Sequence, residues 1–192
     1  VLKVLREKEN GLYLGEGRAG ERGVLLPGKQ APEGIRPGDE IEVFIYKDSE
    51  DRLIATVHEP FLSVGEMAVL EVAETGGIGA FLKWGLERDL FLPFKEQKWK
   101  VKKGEKVLAA LYVDKSGRLC ATMKIDRFLK SNSPYKKDDE VSGIIYEINP
   151  QLGAFVAVDG RYYGLIPASE TGRDMKSGME TEARVARVRP DG

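Results

Sequence analysis

Residues 76–107 of the chain, GGIGAFLKWGLERDLFLPFKEQKWKVKKGEKV, interleave aromatic rings with ammonium groups more densely than any other stretch. Phe81, Lys83, Phe91, Phe94, Lys95, Lys98, Trp99, Lys100, Lys102 and Lys103 all fall within it. Rings of this kind can stack on planar bases, and lysines beside them can neutralise phosphates. A lysine run by itself is an ordinary solvated loop; against a sheet that binds strands it becomes an electrostatic rim carrying one stacking ring, Trp99. Energy alone does not separate a platform from a core residue. Burying an aromatic side chain contributes roughly 1.5–3 kcal/mol, comparable with the roughly 1–3 kcal/mol of a stacked base. The phase of each ring on its strand has to decide.

The same inventory argues against catalysis. His58 and Cys120 are the only residues of their types, which removes most nucleophilic triads and any multi-cysteine zinc site or disulfide framework. Residues 15–20, GEGRAG, match a dinucleotide-binding glycine pattern, but the strand-like ERGVLLP follows where that chemistry needs a helix. GVLLPGK at residues 23–29 imitates a phosphate-binding loop, yet Gln30 stands where a hydroxyl must meet magnesium. The acidic groups Asp48, Glu50, Asp51 and Asp138, Asp139, Glu140 read as solvated turns. We therefore expect no enzyme, no metal and no cofactor.

Net charge is −1, and it is unevenly placed. Residues 1–61 hold 9 basic and 12 acidic side chains, residues 62–132 hold 13 and 9, and residues 133–192 hold 8 and 10, so only the middle third is basic. No apolar run approaches the roughly 20 residues needed to cross a bilayer, and the start, Val1, lacks the profile of a secretory signal. The expectation is a cytoplasmic protein without membrane contact, its start trimmed from a longer chain.

The elements that must hold these side chains recur. Pro27, Pro93 and Pro167, each closing an apolar step (LLP, FLP, LIP), are 66 and 74 residues apart, and Gly38, Gly104 and Gly178 keep the same two separations. In the first third, LKVL, GLYLG, RGVLLP, EIEVFIY and RLIATVH read as five short strands with a long Pro/Gly connection after the third, the pattern of a small Greek-key barrel of the oligonucleotide/oligosaccharide-binding type. The middle third repeats it with MAVLEVAE, GAFLKWG, DLFLP, EKVLAALYV and RLCATMK, placing Val107, Ala109, Leu111 and Val113 on one face. IDRFLKSN predicts one or two helical turns before Pro134. The last third supplies four strands and stops at a turn, Pro190-Asp191-Gly192, so its sheet is expected to be open or closed by residues not present. The reading is all-β: three tandem five-stranded barrels over residues 1–61, 62–124 and 140–192, the third lacking its last strand, with a linker at 125–139.

Gly79-Ala80-Phe81-Leu82 and Gly153-Ala154-Phe155-Val156, the Leu-x-Pro steps, and Asp114 to Arg118 before a final strand resemble the ribosomal protein S1-type RNA-binding domain. Three such units, the first diverged, are similar to the conserved virulence factor B family of bacterial RNA-binding regulators, whose members carry a winged-helix domain after the third barrel. The resemblance implies Phe81 and Phe155 as outward rings that stack on bases, and alternation independently puts Ala80, Leu82 and Trp84 inward with Phe81 and Lys83 outward. It further implies Asp114 with Arg118, and by repeat Asp48 with Arg52, at the binding face. Phe91 shares the phase of Pro93, and for both Phe91 and Tyr163 a stacking platform and a packed core position stay open. Proline at 27, 93 and 167, where these domains commonly have a histidine or polar group, favours stacking and electrostatics over base-specific readout. Tyr13 and Leu14 replace a clear Gly-Ala-Phe, so the first unit is expected to be structural.

The partner expected is single-stranded RNA, bound with little sequence specificity by Phe81, Lys83, Phe91, Lys98, Trp99, Lys100, Asp114, Arg118, Phe155, Tyr163 and Arg52. The alternative is a scaffold whose barrels bind other proteins.

Overall fold

A computed structural model describes residues 1–48 and 52–190. The expected turn at 47–51 and the terminal turn fall partly outside these, as do the acidic residues Glu50 and Asp51. The described residues form fifteen strands and three single 3-10 turns. None of the turns is long and apolar enough to cross a membrane.

The first sheet contains β1 (Leu2–Lys8), β2 (Gly11–Gly15), β3 (Val24–Pro27), β4 (Glu40–Ile41), β5 (Phe44–Lys47) and β6 (Leu53–Thr56), in the order β4-β1-β2-β3-β6-β5. β3 and β6 run parallel, with Leu25 opposite Ile54, while β1 with β2, β1 with β4, β2 with β3 and β5 with β6 pair antiparallel. One strand was expected over EIEVFIY; two are found. The break at Glu42 and Val43 lets β4 bond to β1 while β5 bonds to β6, so one stretch of chain serves both ends of the sheet and closes the barrel. A strand that must turn a tight corner bends or breaks. Val4, Leu12, Leu14, Leu26, Ile41 and Ala55 fill the interior.

The second sheet contains β7 (Met67–Thr75), β8 (Gly79–Lys83), β9 (Leu90–Pro93), β10 (Lys106–Val113) and β11 (Leu119–Thr122), ordered β11-β10-β7-β8-β9. The third contains β12 (Glu140–Asn149), β13 (Gly153–Val158), β14 (Tyr162–Pro167) and β15 (Glu180–Arg184), ordered β14-β13-β12-β15. A fifth strand is absent among its described residues, as expected.

The repeat has a register behind it. Gly11 pairs with Pro27, Gly79 with Pro93 and Gly153 with Pro167. A Cβ on any of these glycines would collide with the carbonyl oxygen of Leu26, Leu92 or Ile166, so the strands approach too closely for a side chain. The first strand of each unit carries a bulge at one place: between Val4 and Arg6, Val72 and Glu74, and Ile145 and Glu147. The last strand is anchored alike in the first two units. Thr56 Oγ1 donates to Gln30 Oε1 at 2.7 Å, and Thr122 Oγ1 donates to Glu96 Oε2 at 2.6 Å.

Compact packing divides the chain in two: Val1–Phe61 with Gly85–Arg88 and Val113–Leu119, and Leu62–Trp84 with Asp89–Tyr112 and Cys120–Gly192. The second unit therefore holds two sheets with a shared core. Val107, Ala109 and Leu111 point inward as expected, whereas Val113 is half exposed. Leu108 and Ala110, on the opposite face of β10, are buried too, packed with Ile125, Leu129, Tyr146 and Ala157. The linker turn Ile125–Phe128, a single 3-10 turn, wedges into this cluster. A strand in the seam between two sheets has no solvent face, which a period-2 reading does not reveal.

Candidate nucleic-acid interface

On β8, Ala80 and Leu82 are fully buried, Trp84 beyond the strand end is 3% exposed, and Phe81 between them is only partly covered. Trp84 is thus a core residue, as its phase implied. Phe81 pairs across the ladder with Phe91, their ring centroids 5.4 Å apart at 36°. A Cβ at Gly79 would meet Phe91 Cε2 at 2.8 Å, and one at Gly76 would sit 3.9 Å from Phe81 Cε2. The glycine-rich turn before β8 thereby leaves room for a two-ring platform on the outer face. Ile78 in this turn is 67% exposed.

The electrostatics around the platform are mixed. Lys83 is exposed and pairs with Glu71 at 2.6 Å, which raises the lysine's pKa and lowers the glutamate's. Across the bulge Phe81 faces Glu74. Burial, and then the charge of Glu74, push the Asp89 carboxyl above its ordinary range.

The lysine-rich connection divides. Lys95, Lys100, Lys102 and Lys103 are exposed. Trp99 is partly buried, its Nε1 donating to Glu105 Oε1 at 2.8 Å, while the other oxygen of Glu105 accepts the Lys102 amide at 2.9 Å. Lys98 departs from the expected rim. Its side chain is 17% exposed, contacts Asp126 at 3.0 Å and Glu147, and lies 4.9 Å from the Tyr146 ring centroid. These partners come from the linker and β12, so Lys98 ties the second sheet to the third.

Phe155 and Tyr163 have neighbours of a different kind from those of Phe81. On the same outward phase as Phe81, and like it partly buried, Phe155 packs against the shared core, 6.1 Å from the Tyr146 ring. Tyr163 is 38% exposed, and its hydroxyl donates to the Asp126 carbonyl.

The final turns are built around their aspartates. Asp114 Oδ1 accepts the Ser116 hydroxyl at 2.7 Å, the Ser116 amide at 2.8 Å and the Arg118 amide at 3.0 Å. The Ser116 hydroxyl, and then the Arg118 amide, hold its carboxyl below the usual aspartate range. In the first unit Asp48 is buried and binds the Arg52 guanidinium through Nε at 3.0 Å and Nη2 at 2.8 Å. That aspartate holds its arginine. Among the described residues no group of three or more His, Cys, Asp or Glu could hold a metal.

At the position equivalent to Phe81 and Phe155 in the first unit, the unit expected to be structural, stands Tyr13. It too is an outward, half-buried ring, and the bulge on β1 sets Arg6 across from it. The bulge has no sequence signature of its own, which is why this pairing was not visible.

The S1 domain family model matches residues 1–58 and 64–124. The chain is 30% identical to the uncharacterized protein YitL of Bacillus subtilis, over 100% of this chain and 66% of that one. It is 25% identical to conserved virulence factor B of Staphylococcus haemolyticus, over 92% of this chain and 62% of that one, and 26% identical to that of Staphylococcus epidermidis, over 90% and 61%. It thus spans less than two thirds of the length of these relatives. In fold it resembles a crystallised multidomain protein with nucleic acid binding domains from Streptococcus pneumoniae, at a TM-score of 0.59 and 20% identity, covering 99% of this chain and 69% of that one.

Proposed function

The chain belongs to the S1 domain family, alongside the proteins named conserved virulence factor B, and from that premise we propose that it binds single-stranded RNA with little sequence specificity, as part of a bacterial post-transcriptional regulator. The observation that carries the reading is the Phe81–Phe91 pair, two rings on the outer face of an oligonucleotide-binding sheet. Unstacked bases find aromatic platforms of this kind sequence-tolerant, because every base has a π-face. Lys95, Lys100, Lys102 and Lys103, exposed on the connection after β9, supply the phosphate attraction, and Trp99 adds a ring beside them. Lys83, Arg118 with Asp114, and Arg52 with Asp48 are the polar contacts in this reading. Lys98, Phe155 and Tyr163 support the sheets rather than the ligand. A proline at the end of β9 offers no donor to a base edge, consistent with weak readout of sequence.

Fluorescence anisotropy with short oligo-U, oligo-A and duplex RNA at two salt concentrations tests this. Single strands should bind better than duplex, with affinity falling steeply as salt rises, and Phe81→Ala should weaken binding far more than Phe44→Ala. A salt-independent affinity, or equal effects of the two substitutions, would refute it.

A scaffold role has one observation in its favour. Between β14 and β15 lies a cavity of about 800 Å³, lined by Tyr135, Phe155, Ile166 and Met175 among others.

A further inference from the structure

The first two units end in the same strand. Arg52-Leu53-Ile54-Ala55-Thr56 and Arg118-Leu119-Cys120-Ala121-Thr122 share the pattern Arg-Leu-x-Ala-Thr, and in both the alanine and the threonine are buried. In the first barrel this strand, β6, lies between β3 and β5. It runs parallel to β3, with Ile54 opposite Leu25, and antiparallel to β5 from Phe44 to Lys47. Its threonine donates to Gln30, three residues beyond Pro27, and the threonine of the second unit donates to Glu96, three residues beyond Pro93. The pattern does not recur between residues 123 and 192.

The third unit keeps the groups that would receive such a strand. The landmark separations carry Leu25 to Leu165, residues 44–47 to residues 184–187, and Gln30 to Glu170, three residues beyond Pro167. β14 is an edge strand whose ladder is with β13. The linker takes only its beginning: Lys130 bridges Tyr162 in parallel, its amide donating to the Arg161 carbonyl at 2.7 Å. From Gly164 onward the outer edge has no ladder partner among the described residues. Across the gap β15 stops at Arg184; Val185 still bonds to Asp138 and Asp139, and residues 186–189 make no backbone hydrogen bond among the described residues. The cavity of about 800 Å³ occupies the space between, lined by Val156, Ile166 and Met175. Glu170 is at its margin, exposed, and its carboxylate has no partner among the described residues.

We propose that the third unit is a receptor for a polypeptide strand: an extended segment of the Arg-Leu-x-Ala-Thr type, contributed from outside residues 1–192, lies parallel to β14 and antiparallel to residues 184–187, its threonine hydroxyl donating to Glu170. This goes beyond RNA binding and does not depend on it. An open sheet edge presents rows of N–H and C=O groups that template a further strand. In strand addition the ladder supplies affinity, and pockets for alternate side chains supply specificity. Here the apolar lining takes the inward leucine-or-alanine phase, and the carboxylate of Glu170 selects a hydroxyl donor at the strand's end. Arg187 and Arg189 line the same space, so RNA is the rival occupant that the test must separate.

The test is anisotropy of the full chain with a labelled synthetic peptide carrying the sequence of residues 52–59, RLIATVHE, and amide hydrogen exchange to locate it. The peptide should bind saturably, one per chain, and slow exchange at residues 185–189 and along the outer edge of β14. Glu170→Ala, at an exposed turn, should weaken binding several-fold, and Glu170→Gln should bind as the native chain does, because glutamine already receives the threonine at position 30. Thr56→Val in the peptide should lose the same factor on the native chain and nothing further on Glu170→Ala. No binding at millimolar peptide, or protection confined to the first two units, overturns the proposal and leaves the RNA-binding reading as it stands. A dimer of the chain alone with residues 185–189 already protected overturns it by assigning the slot to a second copy. Displacement of the peptide by oligo-U overturns it by assigning the slot to RNA.

Discussion

Phe81 and Phe155 occupy the same place in two copies of one motif, Gly-Ala-Phe, on strands with the same register, yet they meet different surroundings. Phe81 shares an open face with Phe91. Phe155 lies against Tyr146 and the shared core of the second unit. The lesson is that a motif determines which way a ring leaves its sheet, while its neighbours determine whether that side is a surface.

The comparison can be broken at its base. Ile125 is fully buried at the centre of the cluster that covers Phe155, so Ile125→Ala should destabilise the second unit by about 2–5 kcal/mol in denaturant unfolding. A loss below about 1 kcal/mol would mean the cluster is not a core. The two rings should then trade effects. Phe155→Ala should lower stability by about 2–3 kcal/mol, somewhat less than the loss of a fully buried ring, and leave RNA affinity per folded molecule nearly unchanged. Phe81→Ala should do the reverse, costing about 1–3 kcal/mol of binding with little shift in the unfolding midpoint. Equal binding losses from the two would erase the distinction drawn here.

Smaller effects sharpen it. Lys98→Met should destabilise the second unit by about 1–2 kcal/mol, because it leaves Asp126 and Glu147 without their shared cation. It should leave the salt slope of RNA binding unchanged, whereas Lys100→Met should flatten that slope by about 0.7 with no loss of stability. The smallest effect is a pH dependence at the Asp114 turn. Its folded pKa is lowered, so its stabilising contribution is complete above the ordinary aspartate pKa and disappears only as pH falls through the lower, folded value. The amide resonances of Ser116 and Arg118 should therefore hold their neutral-pH positions down through pH 4 and move below it. Movement centred above pH 4 would contradict the hydrogen-bond cause given for the shift.

Much of the architecture was legible in residue order. Close strand approach demands glycine at 11, 79 and 153, and the apolar steps closed by Pro27, Pro93 and Pro167 end the strands that approach them, so the three units announced themselves through landmarks that keep matching separations. Alternation carried the inward phase of Ala80, Leu82 and Trp84, because strand periodicity is a local property of the backbone. The lysines were legible as a run but not as a set: Lys98 finds Glu147 across 49 residues, a pairing no local pattern encodes.

By itself, then, the sequence determined three β units, the matched spacings of their prolines and glycines, and the outward direction of Phe81 and Phe155, since each follows from short-range sterics and a period of two. Tertiary structure alone decided what those rings face. A bulge slips one strand by a residue and so chooses Arg6, Glu74 or Glu147 as the partner, and the docking of the third sheet on β10 packs one partly buried ring, Phe155, against the shared core. Both depend on packing between segments far apart in the chain.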